Sequence, residues 1–201
     1  MQGKPVGNMP YTRCSAAGAP AEYIRAETPK QGGMTGAHPF ATGGGLAPDG
    51  GGGVWCAAPR SARVALLRAG TVDTIAQTTV DIPNVIVGSD ERAAEIARVE
   101  KVIAKYTSDN FDKSKTLSTK PGIAALHTDN DGRLWVQRAK KFNRNSTTFD
   151  LFDARGRHLA RIALPVKQST AMPVRARGNP LWLAVLDDDD VKTIVQFRIG
   201  N

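Results

Sequence analysis

All three tryptophans of the chain stand in one recurring setting: a turn, then glycine, then a short apolar strand that carries the indole. The first copy runs Leu46-Ala47-Pro48-Asp49-Gly50, three more glycines, then Val54-Trp55-Cys56. The second is His127-Thr128-Asp129-Asn130-Asp131-Gly132-Arg133-Leu134-Trp135-Val136, and the third is Ala176-Arg177-Gly178-Asn179-Pro180-Leu181-Trp182-Leu183. A repeated unit constrains a fold more than local propensity does, because a single unit cannot cover its own apolar faces and needs its neighbour to do so. Trp55, Trp135 and Trp182 are therefore expected to hold equivalent structural positions in successive units.

Each tryptophan strand is followed by a polar hairpin tip and a second β-rich run, at residues 64–67, 148–152 and 193–199. In the second copy Phe149 and Leu151 alternate with Thr148 and Asp150, the two-residue period of a strand with distinct faces. Asp153-Ala154-Arg155-Gly156 is a turn signal, and residues 158–164 form a further strand stopped by Pro165. Large apolar residues on both faces, as with Phe149 and Phe152, suit a sheet held between neighbours. Stacking four-stranded meanders radially covers the faces and leaves only short edges. Three tryptophan hairpins also suit a β-sandwich, but the recurring turn, glycine, tryptophan order favours the radial stack. The expected fold is thus all-β, a partial β-propeller of about three four-stranded blade-like meanders spanning residues 45–201.

Two stretches stand apart from these units. Residues 1–44 are rich in Gly, Pro, Ala and Thr with few large aliphatics, too little apolar surface to repay ordering, and are expected to be largely irregular with one strand near 22–26. Between the first two units, at about residues 89–106, Ile96, Val99, Ile103 and Tyr106 recur at helical spacing, with Asp90 and Glu91 early and Lys101 and Lys105 late, as the helix dipole favours. The spacing predicts one inserted amphipathic helix, capped by Ser89, with its narrow stripe packed on the sheets.

The motifs of common chemistries are missing. There is no Gly-x-Ser-x-Gly, no His-Glu-x-x-His and no Gly-Lys-Ser/Thr loop, and His38, His127 and His158 are scattered, so no catalytic residue, cofactor or metal is assigned. Asp129-Asn130-Asp131-Gly132 reads as turn chemistry rather than an EF-hand, which would need a glutamate where Arg138 stands, and the Asp187 to Asp190 run reads as a solvated tip. Cys14 and Cys56 fit no metal spacing and are expected to be two free thiols rather than one disulfide. No apolar run approaches a membrane span or a secretory signal. The net charge of +8 permits an anionic partner or serves solubility alone. Its sharpest local expression is Arg138, Lys140, Lys141 and Arg144 around Phe142, a basic tip with an aromatic that suits a phosphate chain and a stacked base, though loop tips are also basic for solubility alone.

The stretch Asp131-Gly132-Arg133-Leu134-Trp135-Val136, continuing through residues 149–159, resembles a blade of bacterial six-bladed β-propeller proteins of the NHL and TolB-like kind. The resemblance extends from about His38 to the C-terminus and is clearest in the second unit. The blade repeats and the missing catalytic motifs point to a non-catalytic binding scaffold for an unknown protein or small-molecule ligand, and the resemblance implies an extracytoplasmic location. It also implies a longer chain, since six blades exceed 201 residues. The expectation is a C-terminal portion or a frame begun at an internal methionine, ahead of a half-propeller completed by self-association. The competing class is a propeller lyase or hydrolase whose site residues are missing or unrecognised, and the third reading is a nucleic-acid or anionic-polymer binder acting through the basic tip.

Overall fold

The computed structural model describes residues 11–12, 23–24, 39–40, 45–58, 60–68, 73–106, 112–142, 145–168, 175–176, 180–186 and 191–198. His38, Arg144, Cys14 and Asp187 to Asp190 lie outside them. Strands β1 (Tyr11–Thr12) and β2 (Tyr23–Ile24) pair as a short antiparallel ribbon. Then β3 (Gly45–Pro48), β4 (Gly53–Ala57), β5 (Arg63–Arg68) and β6 (Thr74–Thr79) form a four-stranded antiparallel meander. After it come β7 (Val85–Ile86), helix α1 (Ser89–Tyr106) and β8 (Thr119–Lys120), with β7 and β8 paired. A second meander follows, of β9 (Ile123–Thr128), β10 (Leu134–Arg138), β11 (Thr147–Phe152) and β12 (His158–Leu164). The last sheet holds β13 (Lys167–Gln168), β14 (Arg175–Ala176), β15 (Pro180–Leu186) and β16 (Lys192–Arg198). The described residues are thus mostly antiparallel sheet with one α-helix.

The first two meanders repeat in detail. Each begins its first hairpin with an aspartate whose Oδ1 accepts the backbone N–H groups two and four residues on: Gly51 and Gly53 at Asp49 (2.8 and 2.6 Å), Asp131 and Arg133 at Asp129 (3.0 and 2.9 Å). The same turn recurs between β11 and β12, where Asp153 accepts from Arg155 and Arg157 at 2.9 Å each. The fourth turn residue is glycine in every case, at φ +88° for Gly52, +74° for Gly132 and +79° for Gly156, a region side chains avoid. The β-bulge between the third and fourth strands also coincides: the register shifts after Leu66, which faces Trp55, and after Leu151, which faces Trp135.

The third sheet departs from this pattern. Lys167 and Gln168 pair with Leu186 and Val185, while Arg175 and Ala176 pair with Trp182 and Leu181, so β13 and β14 occupy one flank of β15. Among the described residues this sheet is three rows wide, not the four expected.

Two cores hold the sheets together. Ala47, Trp55, Val64 and Leu66 of the first sheet meet Leu126, Leu134, Val136 and Phe152 of the second. The opposite face of the second sheet presents Trp135, Phe149 and Leu151 to Leu181 and Leu183 of the third. The middle sheet is therefore apolar on both faces because it is covered twice, and Phe149 and Phe152 belong to different cores. Strand alternation turns Trp182 onto the far face of the third sheet, where it is half-buried. Trp55 and Trp135 are fully buried, yet their indoles differ. Trp135 Nε1 donates to Asp129 Oδ2 at 2.8 Å, whereas Trp55 Nε1 has no hydrogen-bond partner among the described residues.

Helix α1 starts one residue earlier than a Ser89 cap would have it. Arg92 N–H bonds the Gly88 carbonyl at 2.9 Å, and the Ser89 hydroxyl turns to the Asp90 carboxylate instead of a backbone donor. Val99 is buried and Ile96 and Ile103 are half-buried, while the Tyr106 side chain lies outside the described residues. Polar ties run from the helix to the segment that follows it, through Glu91 to Lys120 and Glu100 to Lys113 (2.6 Å). No helix among the described residues is long and apolar enough to cross a membrane. The expectation of free thiols is overturned at Cys56, which is buried on β4 and disulfide-bonded; spacing along the chain carries no information about distance across the fold.

His127 on β9 gives the fold a pH response. Burial lowers its pKa, and the hydrogen bond from Nε2 to Gln137 Oε1 at 3.2 Å opposes that only in part. The folded state thus prefers the neutral ring. The associated stability is fully present above the unfolded histidine value of about 6.5 and is lost as pH falls through the lower folded value. Urea midpoints of parent and His127→Gln, measured from about pH 8 to about pH 5, are expected to fall more steeply for the parent. Parallel curves would refute this.

Candidate functional site

The hairpin joining β10 to β11 carries the basic tip. The ladder pairs Gln137 with Phe149, so continuing the register sets Arg138 across from Thr148, and Ser146 follows on the same side of the strand. Arg138, Ala139, Lys140, Lys141, Ser146 and Thr148 line an open cleft of about 300 Å³. The root of the hairpin is held where Ala139 N–H bonds the Gly122 carbonyl (2.6 Å) and Arg138 Nη2 bonds the Asp81 carbonyl (3.3 Å). The cleft therefore sits at one end of the seam between the first two sheets.

Beneath it lies a buried carboxylate. Asp150, 1% exposed, accepts from Arg138 Nε at 2.6 Å and Arg161 Nε at 2.8 Å, with His158 Nε2 at 3.5 Å. Burial alone would push its carboxyl pKa up, but the hydrogen bonds and charges of the two guanidinium groups outweigh that and hold it below the usual carboxylate range. Asp150 thus fixes the direction of the Arg138 fork and balances part of its charge. Among the described residues Lys140 and Lys141 have no such partner, and neither makes an ion pair with a described carboxylate. Although Lys140 is largely exposed as a residue, desolvation at the cleft wall lowers its pKa first, and repulsion from Lys167 and Lys120 lowers it further.

Of the tip residues named from sequence, Arg138, Lys140 and Lys141 converge on the cleft. Phe142 is 43% exposed and does not line it, and Arg144 lies outside the described residues. Ser146, Thr148, Lys120, Lys167 and Asp150 were not recognised from sequence as part of the site. The first two were within reach, because hairpin register carries them back beside Arg138. The lysines of β8 and β13 arrive through tertiary packing and left no local signal.

The donor set is ammonium, guanidinium and hydroxyl, all of which donate to anionic oxygen. At the turn, both carboxylate oxygens of Asp129 are taken up by the Asp131 and Arg133 backbone, the Arg133 side chain (2.7 Å) and Trp135. Among the described residues no group of three or more His, Cys, Asp or Glu is placed to hold a metal ion. No known family model matches this chain, and no curated protein is similar enough to it to match.

Proposed function

We propose that this chain is part of a β-propeller acting as a non-catalytic binding scaffold, with the cleft at the β10 to β11 hairpin as its contact surface for an anionic partner. What supports the propeller reading is the order of stacking. The first strands of the first two sheets lie side by side, where Thr128 Oγ1 donates to the Pro48 carbonyl and a Cβ placed on Gly45 would meet the Leu126 backbone, and the turn after β9 reaches β14 of the third sheet, where Asn130 N–H bonds the Ala176 carbonyl at 3.2 Å. Radially arranged meanders bring their first strands together in this way. The recurring aspartate turn and bulge support the same reading, since they repeat the unit and not merely its tryptophan.

The observation that carries the binding function is the convergence of Arg138, Lys140 and Lys141 in one cleft, where no described carboxylate pairs with the two lysines. Filter binding with a single-stranded oligonucleotide as polyanion tests it. Retention is expected at low salt, falling with a log-log slope of about −2 for three cationic contacts. The double substitution Lys140→Glu with Lys141→Glu is expected to abolish retention. A parent that at low salt binds neither the oligonucleotide nor inorganic phosphate, or a double variant that binds like the parent, sinks the reading.

A further inference from the structure

We infer that the cleft recognises one compact, doubly charged phosphate monoester group rather than a run of phosphodiesters. This deepens the anionic reading of the same cleft and rests on it. Three features of the site point to the monoester. First, the space is small: about 300 Å³, at the lower limit of ligand pockets, which suits a tetrahedral oxyanion and a small substituent but not several nucleotides. Second, among the described residues no aromatic ring lines it, since Phe142 stands outside the lining, so none of them offers a stacked base a platform. Third, the donors are of two kinds in one place, with Lys140 and Lys141 supplying charge and the Ser146 and Thr148 hydroxyls supplying direction, a mixture that matches the several acceptor oxygens of a terminal phosphate.

Charge accounting separates a dianion from a monoanion. Asp150 offsets one of the two positive charges of Arg138 and Arg161, and Glu91 offsets Lys120. Lys140 and Lys141 add two further charges that no described carboxylate pairs with, and Lys167 is close enough to repel Lys140. A phosphodiester brings a single negative charge, whereas a phosphate monoester near pH 7 carries close to two and meets both lysines. The cleft is open, so the substituent points to solvent. A free small phosphate monoester and a phosphorylated serine at a peptide surface therefore offer the same recognisable group.

Calorimetric titration of the whole chain at low ionic strength tests this with four probes: inorganic phosphate, glycerol phosphate, a phosphoserine peptide, and dimethyl phosphate as the monoanionic control. The three dianions are expected to bind at least about tenfold tighter than dimethyl phosphate, the scale of one added charge-assisted hydrogen bond. Glycerol phosphate binding as tightly as the peptide indicates a free monoester, and a peptide preference indicates a protein-borne one. Lys140→Gln is expected to weaken phosphate about tenfold and Ser146→Ala about threefold. Lys101→Gln, an equal change of charge on the exposed face of α1, is expected to leave affinity unchanged, and matching thermal melts verify that the variants fold. Equal affinity for dimethyl phosphate, or equal losses in Lys101→Gln and Lys140→Gln, overturns the inference. If the oligonucleotide binds through the cleft while the dianions give no heat, the monoester inference alone fails. If neither binds, the anionic reading fails with it.

Discussion

Replacing Trp135 with alanine is expected to lower the unfolding free energy by about 3–5 kcal/mol, the range for truncating a large buried aromatic side chain. The indole is fully buried and meets Phe149 edge-on, with ring centroids 5.7 Å apart, in the core shared by the second and third sheets. Both walls of the void are hydrogen-bonded ladders, which relax little, so the cavity persists and its cost is felt in full. The substitution also removes the N–H that Asp129 Oδ2 accepts. Trp182→Ala is expected to cost less, because Trp182 is half-buried on the far face of the third sheet. Urea titrations of the two variants give the comparison. A Trp135→Ala loss below about 1 kcal/mol, or the reverse ranking, would mean the second and third sheets are not packed as described.

Asp150→Ala is expected to cost roughly 3 kcal/mol at neutral pH, the low end for breaking a buried ion pair. The full penalty arises when a charge is left stranded. Arg138 is only 20% exposed and loses its strongest partner, whereas Arg161, 56% exposed, can turn to water, which holds the loss at that low end. Because the folded pKa of Asp150 lies below the unfolded carboxylate value of about 3.9, its contribution is complete above that value and disappears as pH falls through the folded one. The stability gap between parent and Asp150→Ala should therefore be widest near neutrality and shrink in strong acid. A gap that stays constant from pH 7 to below about pH 3 would show that the carboxylate's charge is not what stabilises the fold.

The strands, the hairpin turns and the single helix were legible because each rests on local chemistry. Alternation placed Phe149 and Leu151 on one face and Asp150 on the other, and Asp-x-x-Gly turns such as Asp153 to Gly156 need only their own side chain, backbone and a left-handed glycine. The candidate site was half legible. Arg138, Lys140 and Lys141 stand close together in sequence, so the cleft they line was visible as a basic tip, whereas Ser146 and Thr148 were missed although hairpin register carries them back beside Arg138. Phe142 looked like a stacking ring because proximity in sequence says nothing about which side of a tip a side chain takes. Asp150 read as the polar half of an alternating strand. Its role under Arg138 and Arg161 depends on a third strand, β12, folding back alongside.

What the amino-acid order determined by itself is the repeating unit: where strands alternate, where glycine permits a turn, and where the one amphipathic helix lies, since all of these are settled within a few bonds of the residue concerned. Tertiary structure alone decided which faces meet, and therefore that Trp55 and Trp135 fill separate cores, that Trp182 is left half-covered, that Cys56 is oxidised, and that lysines from β8 and β13 crowd Lys140. The physical reason is range. Hydrogen-bonded turns and two-residue periodicity act along the chain, while burial, ion pairing and desolvation depend on neighbours the chain supplies from tens of residues away.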